Sequence, residues 1–199
     1  LMPLVFESFP SADLLHHRGE IDVAIQRVLN AGSFILGEEV GAFEREFSAF
    51  VGVTHGVGVA TGTDAIELML RGLNLGPGDA VVVPAMTATA SSVGVLRAGA
   101  EVVLADVEAD TLTLSPASLK AVLESPVGSR VRAVLVVHLH GHCADWEGLR
   151  AVAEPHGVIL LEDAAQAHGA TVRNQAAGAL GRAAAFSFYP TKNLGALGD

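Results

Sequence analysis

The sequence predicts an α/β fold, a mainly parallel sheet with helices on both faces. Short apolar runs rich in β-branched residues, such as residues 80–83 and 132–138, have the pattern of strands buried on both sides. Stretches with helical spacing of apolar residues separate these runs, and turns rich in glycine and proline, such as residues 74–79, connect them. Strands that alternate with helices in this way are typical of parallel sheets.

The chain opens with two predicted helices, residues 12–30 and 38–50, joined by a turn with glycine at both ends, residues 32–37. Two acidic residues at the start of the second helix suit its positive N-terminus. The apolar faces of the two helices consist of Ile21, Ile25, Val28 and Leu29, and of Val40, Phe43, Phe47 and Phe50. We therefore expect a helical segment ahead of the sheet.

The rest of the chain alternates between strands and helices. The predicted strands are residues 57–60, 80–83, 101–106, 132–138, 158–161 and 183–188. The predicted helices are residues 63–73, 90–98, 116–124 and 146–156. No repeat or linker interrupts this pattern, so residues 1–199 are predicted to form one domain. The chain stops at Gly198-Asp199 directly after a glycine-rich turn, and we expect this domain to be incomplete.

Composition narrows the function classes. Half of the 199 residues are hydrophobic and 17% are charged, which excludes a disordered chain. The formal net charge of −10 repels phosphate backbones, so we expect no nucleic-acid partner. The single cysteine, Cys143, cannot form an internal disulfide, which favours a cytoplasmic protein. Proline interrupts the longest uncharged stretch, residues 80–96, so we expect no membrane partner. No metal site is expected either.

The first candidate site residues are Gly62 and Thr63, where a predicted strand runs into a helix. Ligands of open α/β sheets bind beyond the carboxyl ends of the strands. Gly62 allows a close approach to the backbone, and a helix N-terminus offers free N–H groups to an anion. Thr63 or Asp64 could instead be a simple helix cap, and the sequence leaves both interpretations open.

Asp163 is the second candidate, because it follows an apolar strand. A carboxylate in that position is costly unless a cation or hydrogen-bond donors meet it. A protonated pyridine nitrogen would be such a cation. The alternative is a loop aspartate that caps the following turn.

Ser187 and Lys192 lie on a loop after the last predicted strand. A lysine in a desolvated pocket has a lowered pKa and can form a Schiff base. The alternative, a solvated surface lysine, is weakened by the apolar and aromatic residues around it. Residues 84–89 either line a cofactor ring or form an ordinary loop between strand and helix.

Taken in order, these segments resemble the DegT/DnrJ/EryC1/StrS family of nucleotide-sugar aminotransferases. The most specific are residues 162–169, Glu-Asp-Ala-Ala-Gln-Ala-His-Gly, and 187–195, Ser-Phe-Tyr-Pro-Thr-Lys-Asn-Leu-Gly. The other matching segments are residues 32–37, Phe43-Glu44, residues 62–65, residues 84–87 and His138. The resemblance implies the large domain of a fold-type-I pyridoxal-phosphate transferase, with the small C-terminal domain outside this chain.

The resemblance also implies roles. Lys192 corresponds to the lysine that holds pyridoxal 5′-phosphate as a Schiff base and then moves a proton. Asp163 corresponds to the carboxylate that pairs with the pyridinium nitrogen, which keeps the ring an electron sink. Gln166 corresponds to the residue beside the 3-oxygen of the ring. The phosphate would be bound by Gly62, Thr63 and Ser187.

The implied reaction is an amino transfer from an amino acid, glutamate in the first place, to a nucleotide-linked keto sugar. Residues 187–195 look most like family members that aminate dTDP-3-keto-6-deoxyhexoses for antibiotic or surface-glycan sugars. The family implies a homodimer with shared active sites. One departure is Ala88, where many relatives have an aromatic residue stacked on the ring.

Two alternatives remain. A non-catalytic or regulatory protein of the same fold would bind the cofactor without accepting an amino group from glutamate. A nicotinamide-dependent Rossmann enzyme needs a Gly-x-Gly-x-x-Gly loop that opens a helix. Residues 55–60 have only two of those glycines and lie inside a predicted strand, which argues against the second alternative.

Overall fold

The structure, a computed structural model, describes residues 14–198 and divides into two compact units. One unit contains the residues up to Gly58 together with those from Phe188 onward, and the other is Val59–Ser187. Whether the two units form the single predicted domain stays a prediction. Within the described part of the chain, no helix is both long enough and apolar enough to cross a membrane.

In its described part, the first unit contains the helices α1 (Arg18–Ala31) and α2 (Glu38–Val51). Both predicted helices are confirmed, although α1 begins at Arg18 rather than near residue 12, and residues 12 and 13 lie outside the described residues. Each helix ends at a glycine in the left-handed conformation, Gly32 with φ 65° and Gly52 with φ 84°. Glycine adopts this conformation without the steric cost that a Cβ would bring, so it ends a helix readily.

The second unit contains a five-stranded parallel sheet in the order β2-β1-β3-β4-β7. Its strands are β1 (Ala80–Pro84), β2 (Glu101–Ala105), β3 (Val131–Val137), β4 (Ile159–Asp163) and β7 (Ala184–Ala185). A small antiparallel hairpin is formed by β5 (Thr171–Val172) and β6 (Gln175–Ala176). The helices are α3 (Gly62–Gly72), α4 (Thr89–Arg97), α5 (Pro116–Leu123) and α6 (Trp146–Ala153). Short 3₁₀ turns occur at Gly128–Arg130, Leu139–Gly141 and Glu154–His156.

Three helices in this unit have an N-cap residue whose side chain accepts a hydrogen bond from the backbone N–H three residues later. These caps are Thr61 for α3, Ser115 for α5 and Asp145 for α6. Such caps satisfy N–H groups that have no partner inside the helix. The cap of α3 is thus Thr61, and neither Thr63 nor Asp64 has that position.

Successive residues of each strand point to opposite faces of the sheet, and both faces are covered. Leu119 of α5 and Leu149 of α6 pack on one face, and Ile66 of α3 and Val95 of α4 pack on the other. A Cβ on Gly94 would lie 2.6 Å from the Ile66 side chain, so glycine allows α3 and α4 to pack closely. The predicted fold class, a mainly parallel sheet with helices on both faces, is confirmed.

The local structure differs from the prediction in three places. Residues 57–60 form no strand, and Val57 is 80% exposed. The strand predicted at residues 183–188 pairs only at Ala184–Ala185. The hairpin of β5 and β6 was not predicted, because its turn uses positive φ angles at Arg173 and Asn174 rather than at glycine.

Candidate active site

The carboxyl ends of the strands bring the candidate groups of the second unit to one edge of the sheet. The strand order changes direction between β1 and β3, since β2 lies on one side of β1 and β3 on the other. A crevice for ligands forms at such a switch point. Asp163 is the last residue of β4, and Ser187 follows β7 by two residues.

Asp163 is a buried carboxylate, 6% exposed, that is held by two donors. The Ser91 hydroxyl donates to Oδ2 at 2.7 Å, and the Ala165 N–H donates to Oδ1 at 3.2 Å. An ionised carboxylate has capacity for about four hydrogen bonds, so each oxygen can accept one more. Asp163 is therefore a fixed anionic group, suited to meet a cationic N–H at the edge of the sheet.

Gly62 and Ser187 lie against each other at the N-terminus of α3. A Cβ on Gly62 would lie 3.1 Å from the Ser187 Cβ and 3.3 Å from the Phe186 carbonyl oxygen. The first turn of α3 leaves the N–H groups of Gly62 and Thr63 outside the hydrogen bonds of the helix. This cradle combines backbone donors, the positive end of a helix and a hydroxyl, which are groups that bind phosphate.

Gln166 connects two loops at the same edge. Its side-chain oxygen accepts a hydrogen bond from the backbone N–H of His140 at 2.8 Å. His140 follows β3 and has a positive φ of 54°. With the oxygen used in this way, the amide NH₂ is the group that can donate to a ligand.

Lys192 belongs to the first unit, on a compact turn. Its N–H donates to the Tyr189 carbonyl at 2.8 Å, and the Ala196 N–H donates to the Phe188 carbonyl at 2.7 Å. A Cβ on Gly195 would lie 2.5 Å from the Pro190 carbonyl oxygen, so glycine allows the turn to close. The structure thus collects Asp163, Gln166 and the cradle in one unit, and the role of Lys192 beside them stays a prediction.

A buried clasp, not predicted from the sequence, lies on the other face of β4 from Asp163. The Glu162 carboxylate accepts hydrogen bonds from the N–H groups of Gly178, Leu180 and Gly181 at 2.6 to 2.8 Å. It also contacts His138 Nε2 at 3.0 Å, and His138 Nδ1 accepts from the Ala144 N–H at 3.2 Å. Because Nδ1 accepts, Nε2 carries the hydrogen and donates it to Glu162.

Residues 85–88 form the loop that connects β1 to α4, and whether residues 84–89 line a cofactor ring stays a prediction. Ala88 is exposed and starts α4 without a side-chain cap. The Thr87 hydroxyl instead lies 2.9 Å from that of Ser91. The loop is therefore connected to Asp163 through Ser91, a contact that no sequence motif indicated.

Comparison with known proteins identifies relatives of this chain. A sequence model of the DegT/DnrJ/EryC1/StrS aminotransferase family matches residues 16–199. The dTDP-3-amino-3,4,6-trideoxy-alpha-D-glucose transaminase of Streptomyces venezuelae is 49% identical over 182 residues, which are 92% of this chain and 47% of that protein.

Two further relatives also match nearly the whole of this chain. The erythromycin biosynthesis sensory transduction protein EryC1 of Saccharopolyspora erythraea is 48% identical over 188 residues, 94% of this chain and 50% of that protein. The crystal structure of S. venezuelae DesV superimposes with a TM-score of 0.91 and 47% identity, and covers 100% of this chain and 52% of that one. The chain spans about half the length of these relatives.

Proposed function

Because the chain belongs to the DegT/DnrJ/EryC1/StrS aminotransferase family, we propose that the whole protein is a pyridoxal-phosphate-dependent sugar aminotransferase. It moves an amino group from an amino acid, glutamate in the first place, to a nucleotide-linked keto sugar. The observation that carries this proposal is the buried carboxylate of Asp163, which lies at the same sheet edge as the phosphate cradle of Gly62 and Ser187.

The residues present fit pyridoxal 5′-phosphate. At the cradle a Cβ on Gly62 would come within 3.1 Å of Ser187, so glycine lets the N-terminus of α3 and Ser187 lie close enough to bind one anion together. Asp163 is an anionic acceptor for a ring N–H, and Gln166 offers an amide donor. These groups would bind the phosphate, the ring nitrogen and the 3-oxygen respectively.

When bound, pyridoxal phosphate supplies an aldehyde and an electron-withdrawing ring. Lys192 Nζ would be the amine that holds the cofactor through its aldehyde group, and it would afterwards carry a proton. Asp163 holds the proton on the ring nitrogen, because its charged carboxylate favours a cation beside it. Gly62, Thr63 and Ser187 orient the phosphate. We propose these roles on the match to the family motifs and on the contacts above.

The substrate that we propose is a dTDP-3-keto-6-deoxyhexose. Support comes from the S. venezuelae transaminase, whose name describes a dTDP-3-amino sugar. The same similarity supports a role in amino-sugar and antibiotic biosynthesis. A purified dTDP-3-keto-6-deoxyhexose should accept the amino group, whereas a UDP-4-keto sugar should react more slowly.

We further propose a cytoplasmic homodimer with shared active sites. The run Phe34-Ile35-Leu36 in the first unit supports the dimer, because these side chains are 69%, 84% and 81% exposed. Large apolar side chains grouped on a surface are typical of contacts with another chain. Light scattering of the complete encoded protein should give twice the mass of one chain, and a monomer at micromolar concentration would contradict the dimer.

The second candidate function is a regulatory protein that binds the cofactor without transferring an amino group. Two observations favour it: EryC1 is named a sensory transduction protein, and the short, exposed side chain of Ala88 cannot stack on a ring. This candidate predicts cofactor binding and no spectral change on addition of glutamate.

The test uses the complete encoded protein. With pyridoxal phosphate it should absorb near the edge of the visible range, and borohydride should fix the cofactor to the peptide that contains Lys192. A Lys192→Ala variant should lose the label, whereas Lys120→Ala, a change of an exposed lysine on α5, should keep it. Glutamate should then shift the spectrum of the wild type. Labelling at another lysine would contradict the assignment, and labelling without a glutamate shift would favour the regulatory function.

A further inference from the structure

Ser91 is a buried serine of α4 whose hydroxyl bonds outside its own helix. A helical serine often donates to the carbonyl one turn before it, as Ser48 of α2 does to Glu44 at 2.6 Å. Ser91 has no exposed surface and donates to Asp163 Oδ2 at 2.7 Å, across 72 positions of sequence. A hydroxyl that donates to a carboxylate forms a short, strong hydrogen bond.

Thr87 extends this contact into a relay. Its hydroxyl lies 2.9 Å from the Ser91 hydroxyl. Ser91 has one hydrogen and gives it to Asp163, so Thr87 is the donor to Ser91. The relay starts in the loop after β1 and ends at the last residue of β4, and β3 lies between these two strands. It therefore crosses the switch point of the sheet.

The relay determines the orientation of the carboxylate. Ser91 holds one oxygen of Asp163 and the Ala165 N–H holds the other, and these two donors together fix the plane of the group. Without the hydroxyl, Oδ2 would lose the hydrogen bond from Ser91, and the remaining 3.2 Å contact at Oδ1 leaves the plane of the carboxylate free to rotate. Small misplacements of a group beside a reacting centre are costly.

We propose that Ser91 is a positioning residue for Asp163 and that Thr87 orients Ser91 in turn. The relay holds the carboxylate so that a free lone pair meets the cationic ring nitrogen of the cofactor. This inference rests on the proposed function, because the carboxylate of Asp163 is oriented toward the ring nitrogen of the cofactor that the proposed function requires. Neither residue touches the cofactor in this scheme, and both act through Asp163.

The test measures cofactor affinity rather than turnover. Apoprotein of the complete encoded chain is titrated with pyridoxal phosphate for the wild type, Ser91→Ala, Asp163→Asn and the double variant. Ser91→Ala should weaken binding about tenfold, since hydrogen bonds to charged groups contribute more than neutral ones. In the Asp163→Asn background the same change should have little further effect, because residues that act through one another are not additive.

Two more variants separate positioning from packing. Ser48→Ala removes the same hydroxyl from a buried helical serine that does not contact Asp163, and it should leave the affinity unchanged. Thr87→Val keeps the shape of the side chain and removes the outer donor, so it should weaken binding in the same direction as Ser91→Ala but by less. Ser91→Thr keeps the hydroxyl and should restore part of the affinity lost in Ser91→Ala.

The outcomes are distinguishable. Additive effects of Ser91→Ala and Asp163→Asn, or an unchanged affinity in Ser91→Ala, would overturn the positioning role while the proposed function stands. If Asp163→Asn itself leaves binding unchanged, or the wild type does not bind the cofactor, the proposed function fails together with this inference. A tenfold loss in Ser91→Ala that disappears in the double variant supports the relay.

Discussion

His138 and Glu162 contact each other, with 3.0 Å between Nε2 and Oε2, and neither side chain has any exposed surface. The carboxylate accepts three further hydrogen bonds from backbone N–H groups of residues 178–181. A buried charge is tolerated when it is hydrogen-bonded on all sides. The clasp therefore connects β4 to the loop that leads into β7.

Glu162→Gln should destabilise the protein by about 3 kcal/mol. An amide offers one acceptor oxygen and an NH₂, and that NH₂ would face either the donors Gly178 N–H and His138 Nε2 or the N–H groups of Leu180 and Gly181. Urea denaturation of the complete encoded protein measures the loss. The exposed Glu154→Gln is the matched control and should stay within about 0.5 kcal/mol of the wild type. Equal stability of the two variants would contradict the clasp.

Gly62→Ala should weaken the binding of pyridoxal phosphate about tenfold, because overpacking of about 1–3 kcal/mol is expected where a Cβ enters occupied space. The new Cβ would lie 3.1 Å from Ser187 and would push the two sides of the cradle apart. Pyridoxal, which has no phosphate, should lose less affinity.

Gly72→Ala is the control at the other end of the same helix. A Cβ there meets nothing within 4 Å. This change should leave cofactor binding intact and stabilise α3 by about 0.5–1 kcal/mol. If the two glycine variants bind both ligands equally well, the cradle is not a phosphate site.

Phe188→Ala should destabilise the first unit by about 2 kcal/mol, since each aromatic pair contributes about 0.5–1.5 kcal/mol beyond its buried area. The ring centroid of Phe188 lies 4.9 Å from that of Phe43 and 5.0 Å from that of Phe47. Hydrogen exchange at the Lys192 amide, which bonds to Tyr189, should become faster. Phe50→Ala, at a side chain that is 58% exposed, should cost less and leave that amide unchanged. Equal losses in both variants would contradict this packing.

Cys143 should react slowly with iodoacetamide at neutral pH. Burial raises the pKa of its thiol, and the negative charge of Glu162 raises it further. The thiolate is the reactive form. A raised pKa means less thiolate at a given pH, so the alkylation rate should climb at higher pH than for a cysteine in a short peptide.

The same pKa shift affects folding. The folded state favours the protonated thiol, so this contribution to stability is present below the pKa of the unfolded chain and is lost as pH rises through the folded value.

Cys143 lies in an open cleft of about 500 Å³ between residues 141–147 and 170–173, which gives the alkylating reagent access to the thiol. Alkylation at the pH of an ordinary thiol would contradict the shift.

The sequence predicted those parts of the fold that local pattern determines. Residues 80–83 and 132–138 are mainly apolar runs typical of strands buried on both faces, and they coincide with β1 (Ala80–Pro84) and, within one residue, with β3 (Val131–Val137). Residues 57–60 have the same β-branched composition, yet they pair with no strand, and Gly58 donates to the Glu44 side chain instead. Strand propensity does not supply a partner, and pairing is decided by distant segments.

The residues of the candidate site likewise fall into those that local sequence could predict and those that it could not. Gly62 was selected on the expectation of a strand at residues 57–60, which the structure does not contain, and it lies beside Ser187. Asp163 and Ser187 could be predicted to share one edge of the sheet, because they occur at or just after the carboxyl ends of β4 and β7. Ser91 could not, because its contact with Asp163 is between side chains 72 residues apart and belongs to no local motif. Gln166 was assigned from resemblance, and its bond to His140 depends on a backbone turn with positive φ.

Glu162 and Asp163 are adjacent acids that project from opposite sides of β4, one into the clasp and the other toward Ser91. Slippage of this strand by a single residue would turn each carboxylate to the opposite face of the sheet, because side chains alternate along a strand. The hydrogen bonds of Glu162 thereby fix the register of β4 and keep Asp163 on the face of the sheet where Ser91 lies. Insertions or deletions inside β4 should abolish folding and cofactor chemistry together, whereas a change of length at the exposed turn of Arg173 and Asn174 should leave both intact.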